Sequence, residues 1–244
     1  MRIALISHGP PDDPRHFSGT AWHVLQELLR QGNEVKAFHA KPADWTLRLA
    51  QFKNRLSLKF SAQPHHFESD PWVLRSRSRR VNQKVCAFAP EAVLCIGMPE
   101  AAMAISRKFP LYIWTDAMHP AFRRAYPYYR IYYSQRDSRV LGQIEKNILR
   151  RAKIIWLSSE WAASETKEDF PEVAERVREQ SYGANLEHPP TAAEVEQFIA
   201  ARNPAEPTLL CIANEWERKG GEAAVETVKQ LRALGCPAKI IIIG

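Results

Sequence analysis

Two short stretches of the chain set cations or small residues at the start of a helix, an arrangement suited to anionic oxygens. In "EWERKGGEAAVETV", Arg218 and Lys219 stand just before Gly220-Gly221, which open a helix directly after a strand. Two cations beside a helix N-terminus suit a diphosphate and the negative charge that develops as a nucleotide departs. A solvated basic turn is the plainer reading of the same residues. In "HFSGTAWHV", Ser18-Gly19-Thr20 lie where a first loop meets a first helix. Free backbone N–H groups there favour an anion, and the glycine permits close approach of a phosphate. An ordinary helix N-cap beside a permissive glycine accounts for them equally well. His8, His16, His23, His65, His66, His119 and His188 form no H-E-x-x-H or comparable ligand set, and no G-x-S-x-G elbow is present. The expectation is therefore of no metal and no serine hydrolase.

These residues need strands and helices to hold them, and the alternation of element types supplies both. "RIALIS" (2–7) is a short apolar run. "AWHVLQELLRQG" carries Trp22, Val24, Leu25, Leu28 and Leu29 at helical spacing and closes on Gly32, and "EVKAF" (34–38) follows as a strand. Strand, helix and strand within this length form a βαβ unit with parallel pairing. The pattern recurs through "AVLCIG" (92–97), an expected helix over "PEAAMAISRKF", "LYIWTD" (111–116), the helix "DSRVLGQIEKNILRRA", "KIIWLSS" (153–159) and the helix "EWAASETKEDF". After "SYGANLEHPP" a helix capped by Thr191 reads as a connector, and "PTLLCIA" (207–213), the helix "GEAAVETVKQLRALG" and "AKIIII" open a fresh βαβ unit. The fold class expected is α/β. A Rossmann-like, doubly wound parallel sheet over 1–188 leads through a connector at 189–206 to the first βαβ unit of a second Rossmann-like domain at 207–244.

Composition narrows the field. The chain has 244 residues, 45% hydrophobic and 25% charged, as ordinary folded domains do, with a formal net charge of +7. That balance invites nucleic acid, an anionic membrane surface or a phosphorylated small molecule. Cys86, Cys95, Cys211 and Cys236 form no C-x-x-C pair, which argues against a zinc site or disulfide framework and for a reducing, cytoplasmic setting. The N-terminus reads as a first strand and not as a signal peptide, and no run approaches the ~20 apolar residues of a membrane span.

"WTDA" (114–117), "LSSEWAA" (157–163), "YGANLEHPPT" (182–191) and "EWERKGGEAAVE" (215–226), in this order and at these separations, resemble glycosyltransferase family 4, a group of GT-B enzymes. "FSGTAWHVLQELLRQGNEV" is similar to that family's first helix and second strand. The resemblance covers nearly the whole chain. It implies a retaining, metal-independent transferase, without a cofactor, that moves a sugar from a nucleotide-sugar donor to an acceptor saccharide, lipid or small molecule. Gly19, with Ser18, would line the donor-phosphate side, and Arg218 and Lys219 would face the diphosphate. Asp116, at the carboxyl end of a strand, would be an acceptor-side catalytic group, although a helix cap or loop-ordering carboxylate also fits it. His119 follows closely enough to share that cleft or to be a solvated loop residue. Ser159 and Glu160 suit a helix N-terminus or ligand contact, and Asn185 a structural hinge. Ala213-Asn214 replaces the family's Gly-Arg, leaving Asn214 where a phosphate-binding cation is common. The family's segment with two glutamates separated by seven residues would lie beyond Gly244, so the chain is expected to be a fragment whose complete catalysis is in question.

One further stretch is different in kind. In "WTLRLAQFKNRLSLKF" (45–60), Trp45, Leu49, Phe52, Leu56 and Phe60 fall on one helical stripe flanked by Arg48, Lys53, Arg55 and Lys59. A core-facing helix with a basic outer face is the expected arrangement; peripheral contact with an anionic membrane, on the inner face, is the other. Two competing functions remain. The basic, tyrosine-rich "FRRAYPYYRIYYSQR" raises a nucleic-acid module, but no recognised nucleic-acid motif supports it. A transferase fold without activity, retained as an interaction protein, is the second.

Overall fold

A computed structural model of the protein describes residues 1–7, 9–61, 69–126 and 133–244. His8, His65, His66 and the 127–132 part of the tyrosine-rich tract lie outside the described residues. The chain divides into two compact units, Met1–Asn185 and Leu186–Gly244.

The first unit is built on six parallel strands: β1 (Arg2–Ser7), β2 (Glu34–His39), β3 (Ala92–Ile96), β4 (Leu111–Thr115), β5 (Ala152–Leu157) and β6 (Val177–Glu179), in the order β2-β1-β3-β4-β5-β6. Ile3 through Ser7 of β1 are all buried, as a continuous apolar run must be when helices cover both faces of a sheet. Alternation along the strands divides the core in two. Ala4, Ile6, Val93, Cys95, Ile113 and Ile155 face one side, where α3 (Pro71–Phe88) contributes Val81 and Val85 and α5 (Gln135–Leu149) contributes Ile148 and Leu149. Leu5 and Ile96 face the other, where α1 (Thr20–Arg30) contributes Leu25, with Trp114 packed alongside. The remaining helices of this unit are α2 (Asp44–Ser61), α4 (His119–Ala125) and α6 (Glu160–Asp169). The connection returning from β2 to β3 crosses β1, so the strand order reverses between β1 and β3 and leaves a crevice at their carboxyl ends.

Two expectations are corrected here. The helix expected over "PEAAMAISRKF" is only a 3₁₀ turn at Pro99–Ala102. Side chains of α3 capture the next backbone donors, with Ser78 Oγ accepting from the Ala104 N–H and Asn82 Oδ1 from the Ser106 N–H at 2.9 Å, so helical bonds do not continue. The basic tract "RSRSRR" belongs to α3, capped by Asp70, whose carboxylate accepts the Trp72 N–H at 2.8 Å. The apolar stripe of α2 does not face the core: Trp45, Leu49, Phe52, Leu56 and Phe60 are all exposed.

In the second unit, α7 (Ala192–Ala200) begins with the expected Thr191 cap, completed by Glu194 as a capping box. β7 (Thr208–Ile212) pairs in parallel with β8 (Lys239–Ile243), joined by α8 (Gly221–Ala233).

Candidate functional site

A cavity of about 260 Å³ opens at the carboxyl ends of β1, β3 and β4, where the strand order reverses. Ser7, Gly97 and Asp116 are its strand-end walls, and His16 and Phe17 come over it from the loop before α1. That loop ends in three consecutive left-handed residues, Phe17 (φ 51°), Ser18 (φ 52°) and Gly19 (φ 76°). Two of them carry side chains, so the turn is strained and something must hold it. Asn185 does so, itself left-handed, donating from Nδ2 to the Ser18 carbonyl at 2.8 Å and to Thr20 Oγ1 at 3.0 Å. The ring of Phe17 leaves no room beneath it: a Cβ at Gly97 would lie 3.1 Å from that ring.

Asp116 is half-buried at the end of β4. Burial raises its proton affinity above the ordinary carboxylate range, and the nearby Tyr182 hydroxyl partly opposes this. Tyr182 is pushed far up in turn, first by burial and then by the Asp116 charge. The hydroxyl oxygen is buried without an aligned hydrogen bond, so the nearness of the two groups, not a well-formed bond, couples them. Tyr182 is fixed by its ring, 5.1 Å from that of Trp114 and edge-on to Phe17 at 5.6 Å. A carboxyl group of raised proton affinity, in a cavity with an aromatic wall, can accept a hydroxyl proton while the ring packs against the apolar face of the ligand.

A second cavity of about 160 Å³ adjoins the first, sharing Gly97, Met98, Thr115 and Phe122. Glu145, buried on α5, accepts the backbone N–H of His119 on both carboxylate oxygens, at 3.0 and 3.1 Å. Burial raises the Glu145 carboxyl well above its ordinary range, the Glu100 charge adds to this, and the His119 N–H opposes it. Glu100 is raised by burial as well, with Arg77 opposing. His119 is no solvated loop residue: it is buried, with its ring edge-on to Tyr133 at 4.8 Å.

The other expected residues divide between the units. Asp116 and His119 line the two cavities of the first, and Ser18, Gly19 and Asn185 form the left-handed turn and its clamp next to Phe17. Ser159 is the N-cap of α6, accepting the Ala162 N–H at 3.2 Å, and Glu160 is exposed in its first turn. Asn214, Arg218 and Lys219 are exposed in the turn between β7 and α8. Arg218 is gripped by Glu215 through two bonds of 2.7 and 2.6 Å. Gly220 is left-handed (φ 71°) at the N-cap of α8, and a Cβ on Gly221 would lie 2.3 Å from the Trp216 ring, so both glycines are required by the turn itself. Among the described residues no group of three or more His, Cys, Asp or Glu side chains is arranged to hold a metal ion.

Sequence reasoning missed Tyr182, Phe17, Glu100 and Glu145. Glu145 had a signal, since it shares a stripe with Leu141 and Ile148 on α5, where a carboxylate has to be buried. Tyr182 opens the quoted "YGANLEHPPT" run, but only the fold brings it to Asp116.

No protein-family model matches the chain, and no curated protein matches it. Solved structures do. A UDP-N-acetylglucosamine 2-epimerase from Rickettsia bellii is similar over 99% of this chain and 68% of its own, at 12% identity and a TM-score of 0.46. A UDP-GlcNAc 2-epimerase from Methanocaldococcus jannaschii is similar over 100% and 74%, at 11% identity and a TM-score of 0.47. The Anabaena protein HepE, in complex with UDP-glucose, is similar over 100% and 69%, at 13% identity and a TM-score of 0.42.

Proposed function

We propose that the chain belongs to a glycosyltransferase resembling family 4, which moves a sugar from a nucleotide-sugar donor to an acceptor hydroxyl with retention and without a metal. The observation that carries this reading is Asp116, a carboxyl group of raised proton affinity in a cavity at the reversal point of a parallel sheet. The motif order quoted above supports it. In this reading the acceptor hydroxyl meets Asp116, which takes up its proton as the new bond forms. The Tyr182 hydroxyl lies beside that carboxyl, and the Phe17 ring packs on the acceptor. Arg218 exchanges the Glu215 carboxylate for the donor diphosphate, and Lys219 and the N-terminus of α8 add positive potential as the nucleotide leaves. Asn214 lies in the same turn as these cations.

The test is titration calorimetry with a panel of nucleoside-diphosphate sugars, followed by a transfer assay with those that bind. Binding weakened at least about tenfold by Lys219→Ala is the expected result. No binding of any nucleotide sugar, or binding that Lys219→Ala leaves unchanged, would overturn it.

A further inference from the structure

α2 is turned so that its apolar stripe points to solvent. At about 100° per residue, Trp45, Leu49, Phe52, Leu56 and Phe60 occupy an arc of about 80°. Trp45 is 63%, Phe52 56% and Phe60 78% exposed. The face that packs on the protein is instead small and polar. Thr46 and Ala50 are buried, Asn54 and Ser57 half-buried, and their arc is rotated about 120° from the stripe. A helix evolved only to cover a core would have these faces exchanged, because each large apolar side chain left in water forgoes the free energy of burial.

Charge is arranged around the stripe. Arg48, Arg55 and Lys59 border one side and Lys53 the other, while Asp44, in the first turn, is the helix's one acidic residue. Lys53 is held in place by Asp70 at 3.1 Å and lies 5.9 Å from the ring of Trp72, which is itself 62% exposed and widens the apolar patch. Arg75, Arg79 and Arg80 follow on the exposed side of α3, a helix without an acidic residue. Large apolar side chains on a narrow arc, with long cationic side chains able to reach outward on both flanks, match the boundary between lipid headgroups and acyl chains. No described helix is long and apolar enough to cross a membrane. At 18 residues, about 27 Å long, α2 has the length to lie along one instead.

We propose that α2, with Trp72, is a docking surface for a membrane carrying anionic lipid, entering it sideways with the Trp45–Phe60 stripe at acyl depth and its arginines and lysines at the headgroups. The charge pattern selects this occupant: a second copy would bring the same cationic borders against themselves.

The test is sedimentation of the full chain with vesicles of phosphatidylcholine alone and of phosphatidylcholine mixed with phosphatidylglycerol. Binding should require phosphatidylglycerol and weaken as salt is raised. Phe52→Gln with Leu56→Gln should weaken it at least about tenfold. Both positions are exposed and glutamine is a good helix former, so an unchanged melting temperature is expected of this variant. Arg48→Glu with Lys59→Glu should remove the lipid-charge dependence by an independent route. The proposal is overturned by failure of the wild-type chain to bind the anionic vesicles, or by binding that neither double variant changes. Self-association in light scattering that Phe52→Gln with Leu56→Gln abolishes, in a chain that ignores vesicles, would assign the stripe to a second copy and likewise overturn it.

Discussion

Asp116 and Glu145 place the same functional group in adjoining cavities under different constraints. Asp116 is half-buried and open to a ligand, whereas Glu145 is buried and spends both oxygens on the His119 N–H. Asp116 therefore suits chemistry and Glu145 suits positioning of the β4–α4 turn. If the proposed transferase reading holds, Asp116→Asn keeps the shape but removes the proton acceptor, and transfer should fall by about 10²–10⁴-fold with donor affinity unchanged, in a single-turnover assay beside calorimetry. Glu145 makes a prediction about stability. Its carboxyl binds a proton more tightly in the fold than its ordinary value of 4.5. The native state is then the better proton binder, so this contribution is full at low pH and is lost as pH rises through the carboxylate range toward the raised value. Glu145→Gln removes that loss. Its melting temperature should gain on wild type by about 2–4 °C for each kcal/mol relieved, as pH is raised from about 4 to about 8. A gap that shrinks over that interval would show that Glu145 is stabilised as a carboxylate.

At the scale of elements, the left-handed turn before α1 and the segment that clamps it form one device. Asn185→Gly keeps the positive φ and loses two hydrogen bonds, at a cost of about 1–2 kcal/mol; Asn185→Ala adds a left-handed side-chain penalty of about 1 kcal/mol more. Urea unfolding should rank wild type, glycine and alanine variants in that order. The elements themselves were unevenly legible. β1 and β3 are apolar runs bounded by turns and buried on both faces, whereas β4 and β5 alternate buried positions with half-buried or exposed ones. β6 pairs only three residues and gives no periodic signal. α3 hides Val73, Leu74, Val81 and Val85 among arginines, and the helix expected at Pro99 yields to bonds from α3 that no local pattern contains. In α2 the period showed a helix with a stripe but could not say which face packs, because that depends on what lies beneath it. The pairing of Asp116 with Tyr182, 66 positions on, was beyond reach for the same reason.

Across the whole molecule, the two units differ in how their sheets are covered. In the first, β1 and β3 are buried on both faces, so opening either exposes apolar surface on two sides at once, and β4 is fully buried on one. In the second, Leu210, Ile212, Ile241, Ile242 and Ile243 are already exposed on a two-stranded sheet, and few apolar contacts hold β7 to β8 beyond their backbone ladder. Local opening free energy follows such burial, so the units should exchange their amide hydrogens on separate timescales. Amides of β1, β3 and β4 should be protected at least about 10²-fold more strongly than those of β7 and β8. Mass-spectrometric hydrogen exchange on the intact chain measures both in one experiment. Equal protection would mean that the apolar face of β7 and β8 is covered in solution. Selective slowing of the β7 and β8 amides by a nucleotide sugar would connect that small sheet to the donor role given to Arg218 and Lys219, since a ligand that binds only the folded unit stabilises it by mass action.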